Sequence, residues 1–276
     1  MKRAATIRGL ERGLQVIELL EANPMLSLQE LHRATRISKP SLLRVLATLE
    51  RAGRVSRRLA DGYYHLSAFS GTARKRDRYD RVAEAAAPVL NRLCQKVLWP
   101  SDLLVPAGDH MERRESNRPQ SAFRIPPPKS EIREVGQPVG WLLTAVGRAY
   151  LAYCPAAERD RVLRRLQNSD KPEDRLARDP QRFDKVLAET RAGGYATRDP
   201  VYFGGFYGHP PYHDRLAAIA VPLVDRSRVH GSINILWIRT AFTVEDFAAR
   251  HLADLQTAAR EIVDSLRGPT HSNPAR

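Results

Sequence analysis

The sequence predicts an α+β chain in two parts: a winged helix-turn-helix at the N-terminus, then a larger α/β domain built on an antiparallel sheet. Three observations carry this expectation. Ser27 to Leu66 reads as two capped helices followed by a β-hairpin. Arg215–Val224 and Val229–Ile238 are apolar, strand-like runs joined by a polar turn, with a long amphipathic helix behind them. Of a net charge of +14, residues 1–80 hold 16 Lys+Arg against 8 Asp+Glu, so over half the excess lies in the first 80 of 276 residues. That asymmetry favours a polyanionic partner for the N-terminal part.

Residues 1–7 form a basic arm, either DNA-contacting or plain terminal disorder. A first helix over Arg8–Glu21 is expected to bury Leu10, Leu14, Ile17 and Leu20, and Asn23-Pro24 ends it. Ser27 and Glu30 have capping-box spacing, so each can satisfy a backbone N–H of the other's turn. Ser38 is a second candidate N-cap, and Pro40 fits a first helical turn, where no N–H partner is missed. The helix that follows runs over Lys39–Ala52 and stops at Gly53.

Leu42, Val45, Leu46 and Leu49 share one face of that helix. Ser41, Arg44, Thr48 and Arg51 share the opposite face, and Ala47 leaves room for close approach. Short hydroxyls and arginines on one face suit base edges and phosphates. An ordinary solvated amphipathic face would look the same in isolation; the capped helix before it and the wing after it favour DNA reading. The wing is Arg54–Leu66, turning at Asp61-Gly62. Its Arg57 and Arg58 suit phosphate, or serve as a charged edge that deters aggregation. The expected DNA contacts are therefore Arg36, Ser38, Lys39, Ser41, Arg44, Thr48, Arg51, Arg57 and Arg58.

A Ser/Gly/Thr run followed by charges near residues 70–78 marks the boundary, giving domains 1–78 and 79–268 and a disordered tail 269–276. A helix over Tyr79–Val97 should be kinked or split by Pro88. Asp102–Val105 is a strand, then a turn at Ala107-Gly108-Asp109, a second strand, and a loop containing Pro126–Pro128. Gln137–Cys154 runs from loop into helix. Ala157–Leu166 and Pro180–Ala192 are helices, and Thr243–Arg267 is the last.

The two cysteines, Cys94 and Cys154, stand in unrelated contexts, which suits a reducing cytoplasm and excludes a disulfide framework. No apolar run approaches the ~20 residues of a membrane span, and MKRAATIRG lacks the apolar core of a signal peptide. There is no nucleophile elbow, phosphate loop or dinucleotide fingerprint, so nothing supports an enzyme. His209 and His213 are four apart in a Pro-rich loop without a carboxylate pattern, and no metal or cofactor is expected.

The RGL-x-RGL opening at Arg8–Leu14, the helix SKPSLLRVLATLERAG and the wing resemble the DNA-binding domain of IclR-type bacterial transcription regulators. The likeness continues through Thr144–Ala149, with Arg148 where the family pattern has Lys, and through YATRDP and LAAIAVPLVD to the last strand. It implies a GAF-like effector-binding domain, a homodimer or dimer of dimers formed partly by the first helix, and double-stranded operator DNA as partner. RNA polymerase is a further partner that this reading admits. By position, the family's effector contacts fall on Ala145, Val146, Asp199, Ala218, Asn234 and Leu236. Ala218 and Leu236 are apolar where several members are polar, which implies a larger, less polar ligand than a small keto acid. Trp99–Asp102 (WPSD), Arg114–Arg118 (RESNR) and Leu151–Pro155 (LAYCP) are similar to family members that activate hydroxyphenylpropionate catabolism, and imply an aromatic acid as effector. Trp141 would then stack on the ring, and Arg114 or Arg118 would pair with its carboxylate, although a surface ion pair with Glu112 or Glu115 competes for these arginines.

Overall fold

A computed structural model describes residues 6–68, 78–123, 135–202, 204–205, 207–209, 213–226 and 228–267. Most of the basic arm, the boundary stretch at 70–77, Pro126–Pro128 and the tail lie outside the described residues. The chain divides into two compact units, Met1–Glu84 and Ala85–Arg276.

In the first unit, α1 (Arg8–Ala22), α2 (Leu28–Thr35) and α3 (Lys39–Arg51) pack with a hairpin of β1 (Val55–Arg57) and β2 (Tyr64–Leu66). Its core is Val16, Leu20, Leu31, Ile37, Leu42, Leu46, Val55, Tyr64 and Leu66. The expected face of α1 is corrected here. Leu10 and Leu14 are 59% and 50% exposed, while Val16 and Leu20 are buried. Continued at helical spacing, the Val16–Leu20 stripe runs back through Gly13 and Gly9, not through the leucines. A Cβ at Gly13 would sit 4.0 Å from Leu49, an ordinary contact, which places this face of α1 against α3.

The next helix, α4 (Arg78–Val97), is continuous through Pro88, so the proline does not split it. One helical hydrogen bond is lost, but Val89, Leu90, Leu93 and Val97 stay buried along the second half. The division after Glu84, six residues beyond the expected boundary, has a local cause. The Glu84 carboxylate accepts from the Ser67 hydroxyl (3.0 Å) and the Ala68 N–H (2.7 Å), and lies 3.4 Å from His65. The start of α4 is thereby tied to the end of the wing.

The second unit is a six-stranded antiparallel sheet flanked by helices. Its strands are β3 (Asp102–Ala107), β4 (His110–Ser116), β5 (Pro138–Val139), β6 (Ala196–Thr197), β7 (Leu216–Asp225) and β8 (Arg228–Ile238), in spatial order β5-β4-β3-β8-β7-β6. The helices are α5 (Ala145–Tyr153), α6 (Ala156–Gln167), α7 (Pro180–Gly193) and α8 (Val244–Leu266). The edge strands β5 and β6 are two residues each, too short for an alternation signal in the sequence. Alternation along the central strands gives the sheet two faces. Leu104, Ala218, Ala220 and Leu236 join the cluster of α5 and α7. Trp237 points the other way and stacks on Phe247 of α8 at 3.8 Å. On that side the second half of α4 is fastened to α8 by Arg92–Glu261 and Lys96–Asp254 ion pairs. Among the described residues, no helix is long and apolar enough to cross a membrane.

Candidate nucleic-acid interface and sensory site

The helix pair is locally well specified. The Ser27 N–H donates to Glu30 Oε2 (2.7 Å), and the Glu30 N–H donates back to Ser27 Oγ (3.2 Å). The Ser27 hydroxyl also donates to Glu30 Oε2 (2.7 Å), and that bond, then the Ser27 N–H, hold the Glu30 carboxyl below its usual value. Between α2 and α3, Arg36 sits in the left-handed region at φ +56°. The turn is held by Thr35, whose hydroxyl donates to the Leu31 carbonyl (2.7 Å) and accepts from the Ile37 N–H (3.3 Å). His32 Nδ1 lies 2.7 Å from the Ile37 carbonyl.

Ser38 occupies the N-cap position of α3 but makes no capping bond to the backbone. Its hydroxyl donates instead to Ser41 Oγ (3.1 Å). That corrects the capping expectation and leaves the Ser41 proton available. Lys39 reaches Gln29 on α2 at 3.2 Å. Leu42 and Leu46 are fully buried, with Val45 and Leu49 partly so, as the helical spacing requires. Arg36, Ser38, Lys39, Arg44, Thr48 and Arg51 are exposed, and Ser41 is half-buried. Among the described residues neither Arg36 nor Arg44 has an acidic partner. Thr48 donates its hydroxyl to the Arg44 carbonyl (2.8 Å), which turns its methyl and lone pairs outward.

In the wing, Gly62 takes φ +74° at the turn. Arg58 is half-buried and clasped by Asp61, with Nε to Oδ1 at 2.9 Å. That clasp closes the turn and leaves Arg57, exposed and 5.5 Å over the Tyr64 ring, as the outward cation of the pair.

In the second unit, Trp141, Ala145, Val146, Ala218 and Leu236 fall in one buried apolar cluster. Ala218 pairs across the sheet with Leu236, and Ala220 with Asn234, so Asn234 shares their face. The 140–144 loop folds back over the start of α5 closely enough that a Cβ on Gly147 would meet the Trp141 carbonyl oxygen at 2.1 Å. Thr144 caps α5, accepting from the Gly147 N–H at 3.2 Å.

Asp199 is not at the cluster's centre. Its carboxylate is taken by the buried Arg148 guanidinium, whose Nε also donates to the Leu142 carbonyl (2.6 Å). Arg148 therefore pins the loop before α5 to the segment after β6. Arg114, expected against a ligand carboxylate, is paired with Glu112 at 2.8 Å. Arg118 is engaged too: its Nε and a terminal nitrogen hold the fully buried Asp102 at 3.1 and 2.8 Å. Asp102 also lies 3.4 Å from Arg113, accepts from the Ser116 hydroxyl, and donates its N–H to Asn234 Oδ1 (2.8 Å). Burial pushes the Asp102 carboxyl up, but Arg113 and Arg118 outweigh it and hold it below the usual range.

Sequence reasoning missed Asp102, Arg113 and Ser232 as members of this face. The signal available was their alternate placing with Leu104, Met111 and Asn234 along β3, β4 and β8. Three buried polar atoms here have no hydrogen-bond partner among the described residues: Trp141 Nε1, Ser232 Oγ and Gln137 Oε1.

A capped α2, an α3 whose exposed face carries cations and no acid, and a hairpin wing are the parts of a DNA-binding regulator. The comparisons agree. The model of the IclR helix-turn-helix domain matches residues 9–58, and that of the bacterial transcriptional regulator IclR C-terminal domain matches residues 79–264. The chain belongs to the IclR family and is a DNA-binding transcription regulator of that type. It is 27% identical over 234 residues to the glycerol operon regulatory protein of Streptomyces coelicolor, covering 82% of each chain. It is 25% identical to the regulator SauR of Cupriavidus necator, covering 92% of this chain and 95% of that one. An IclR homolog from Microbacterium sp. strain HM58-2 has the same fold, at 19% identity and a TM-score of 0.51 over 95% of this chain and 99% of that one.

Proposed function

We propose that this regulator senses an organic acid with an apolar, aromatic body, bound between the start of α5 and the β7–β8 face of the sheet. The observation that carries this is the set of buried, unpartnered polar atoms, Trp141 Nε1, Ser232 Oγ and Gln137 Oε1, in and around an apolar cluster. Native interiors leave few such atoms unsatisfied, because each costs about 1–3 kcal/mol. A ligand supplying a hydroxyl and a carboxylate would satisfy them. Arg118 is already neutralised by Asp102, so the carboxylate is assigned to the start of α5. There the Ala145 and Val146 N–H groups have no helical acceptor and the helix dipole favours negative charge. That explains how apolar residues at these two positions can contact a polar ligand. Leu236, Ala218 and Trp141 would enclose the ring.

A hydroxyphenylpropionate-like acid fits this description. The Streptomyces relative is named for a glycerol operon, a name that assigns no aromatic ligand. The aromatic reading rests on Trp141 and on the WPSD, RESNR and LAYCP stretches.

For the first unit, the reading assigns base and phosphate contacts to Arg36, Ser38, Lys39, Ser41, Arg44, Thr48, Arg51 and Arg57, on operator DNA in the cytoplasm. The exposed strip Ile7, Leu10 and Leu14 is assigned to a second copy of the chain, giving a dimer with two reading helices. Effector binding then shifts the population of conformers that fit a paired site. The test is thermal shift of the full-length protein with 3-(hydroxyphenyl)propionate isomers, benzoates and short aliphatic acids. An aromatic acid at 100 times its Kd should add about 2.7 kcal/mol of stability. Trp141→Phe and Ser232→Ala should weaken that response. Stabilisation by aliphatic acids alone would refute the aromatic assignment.

A further inference from the structure

The reading face of α3 is not wholly polar. Leu43 is 44% exposed, and Pro40 and Ala47 are exposed beside it. The face also carries Arg36, Ser38, Lys39, Arg44, Thr48 and Arg51, and none of its exposed positions is acidic. Leu42, one residue earlier, is fully buried, so Leu43 is turned out by the helix itself rather than by a crowded core. Leu43 lies at the edge of the cationic face, on a stripe with Lys39, Ala47 and the half-buried Glu50, and an exposed leucine there has one complementary feature on duplex DNA. In the major groove, thymine alone among the four bases presents a methyl group, and apolar side chains read it.

We propose that Leu43, with Ala47 one turn on, is a specificity-determining apolar strip that recognises thymine methyl groups. Arg44 and Ser41 on the flank read polar base edges. Leu43 and Ala47 lie about 6 Å apart along the helix axis, close to two base-pair steps, so along the groove the strip can reach pairs two steps apart. This rests on α3 being the reading helix.

The test uses the full-length protein and a duplex selected from a random library by it. Each thymine is replaced in turn by deoxyuridine, which removes only the methyl, and Kd is measured by fluorescence anisotropy at fixed salt. The wild type should lose about fourfold at one or more positions, roughly the 0.8 kcal/mol of one buried methyl-sized group. Leu43→Ala should bind the thymine and uracil duplexes equally there. Leu43→Gln, which keeps helix length and propensity, should do the same and guards against a folding artefact. Indifference of the wild type at every thymine, a thymine-free selected site, or an unchanged thymine/uracil ratio in Leu43→Ala would overturn the proposal. Failure of the parent reading looks different: Arg44→Ala and Leu43→Ala would both bind the selected duplex as wild type does.

Discussion

Arg118→Met isolates the competition between a structural role and a ligand role for one guanidinium. In the structure Arg118 grips the buried carboxylate of Asp102 with two nitrogens. Methionine keeps much of the side-chain volume and removes both bonds. Breaking a buried ion pair from one side costs about 3–5 kcal/mol, because the remaining charge is left uncompensated. Arg113, 3.4 Å away, stays to shield Asp102, so the lower end, about 3 kcal/mol, is expected. For a unit the size of Ala85–Arg276, that corresponds to roughly 6–12 °C in Tm. The Asp102 carboxyl is held below its unfolded value of about 3.9, so its stabilisation is present above that pH and fades as pH falls through the lower, folded value. Calorimetry of wild type and variant should therefore show the largest gap near neutrality and convergence in acid. An unchanged Tm at neutral pH, with binding of aromatic acids abolished, would refute the reasoning. Arg118 would then belong to the ligand and not to Asp102.

Three further outcomes are expected. Arg44→Ala should weaken operator binding by about 1–3 kcal/mol in an anisotropy titration while moving Tm little, because the side chain is exposed and has no acidic partner among the described residues. Gly147→Ala must push the Trp141 carbonyl away from an overlap at 2.1 Å, and should cost roughly 3 kcal/mol or more in urea denaturation. Its effect on ligand response should exceed that of Trp141→Phe, since the whole 140–144 loop has to shift. Burial, and then Glu158, push the Cys154 thiol up to about 12, and burial raises Cys94 as well. At pH 8, iodoacetamide should therefore label neither cysteine in the native protein and both in denaturant.

The DNA-binding unit was legible because its signals are local. A capping box, a proline in the first turn of α3, a positive-φ glycine in the wing and the Leu42/Leu46 spacing each act within a few residues. Two continuous apolar runs joined by a short polar turn likewise marked β7 and β8, whose pairing depends on that short connection. The sensory face was legible only in part. Asn234, Ala218 and Leu236 were placed at the site only by the family resemblance, and the partner of Asn234 is Asp102, 132 residues away. Arg148 and Asp199, 51 apart, are joined by chain folding that no periodicity announces.

The sequence alone thus settled most helices and the longer strands, though not the two-residue β5 and β6, and which side of α3 carries cations, since propensity, capping and periodicity are short-range. Tertiary structure decided which charges remain outward. It matched Arg118 to Asp102 and Arg148 to Asp199, and among the described residues left Arg44 without an acidic partner. It also decided which apolar residues are covered, turning Val16 inward and leaving Leu10 and Leu14 exposed. Burial depends on what arrives from elsewhere in the chain, so a residue's own neighbours in sequence cannot determine it.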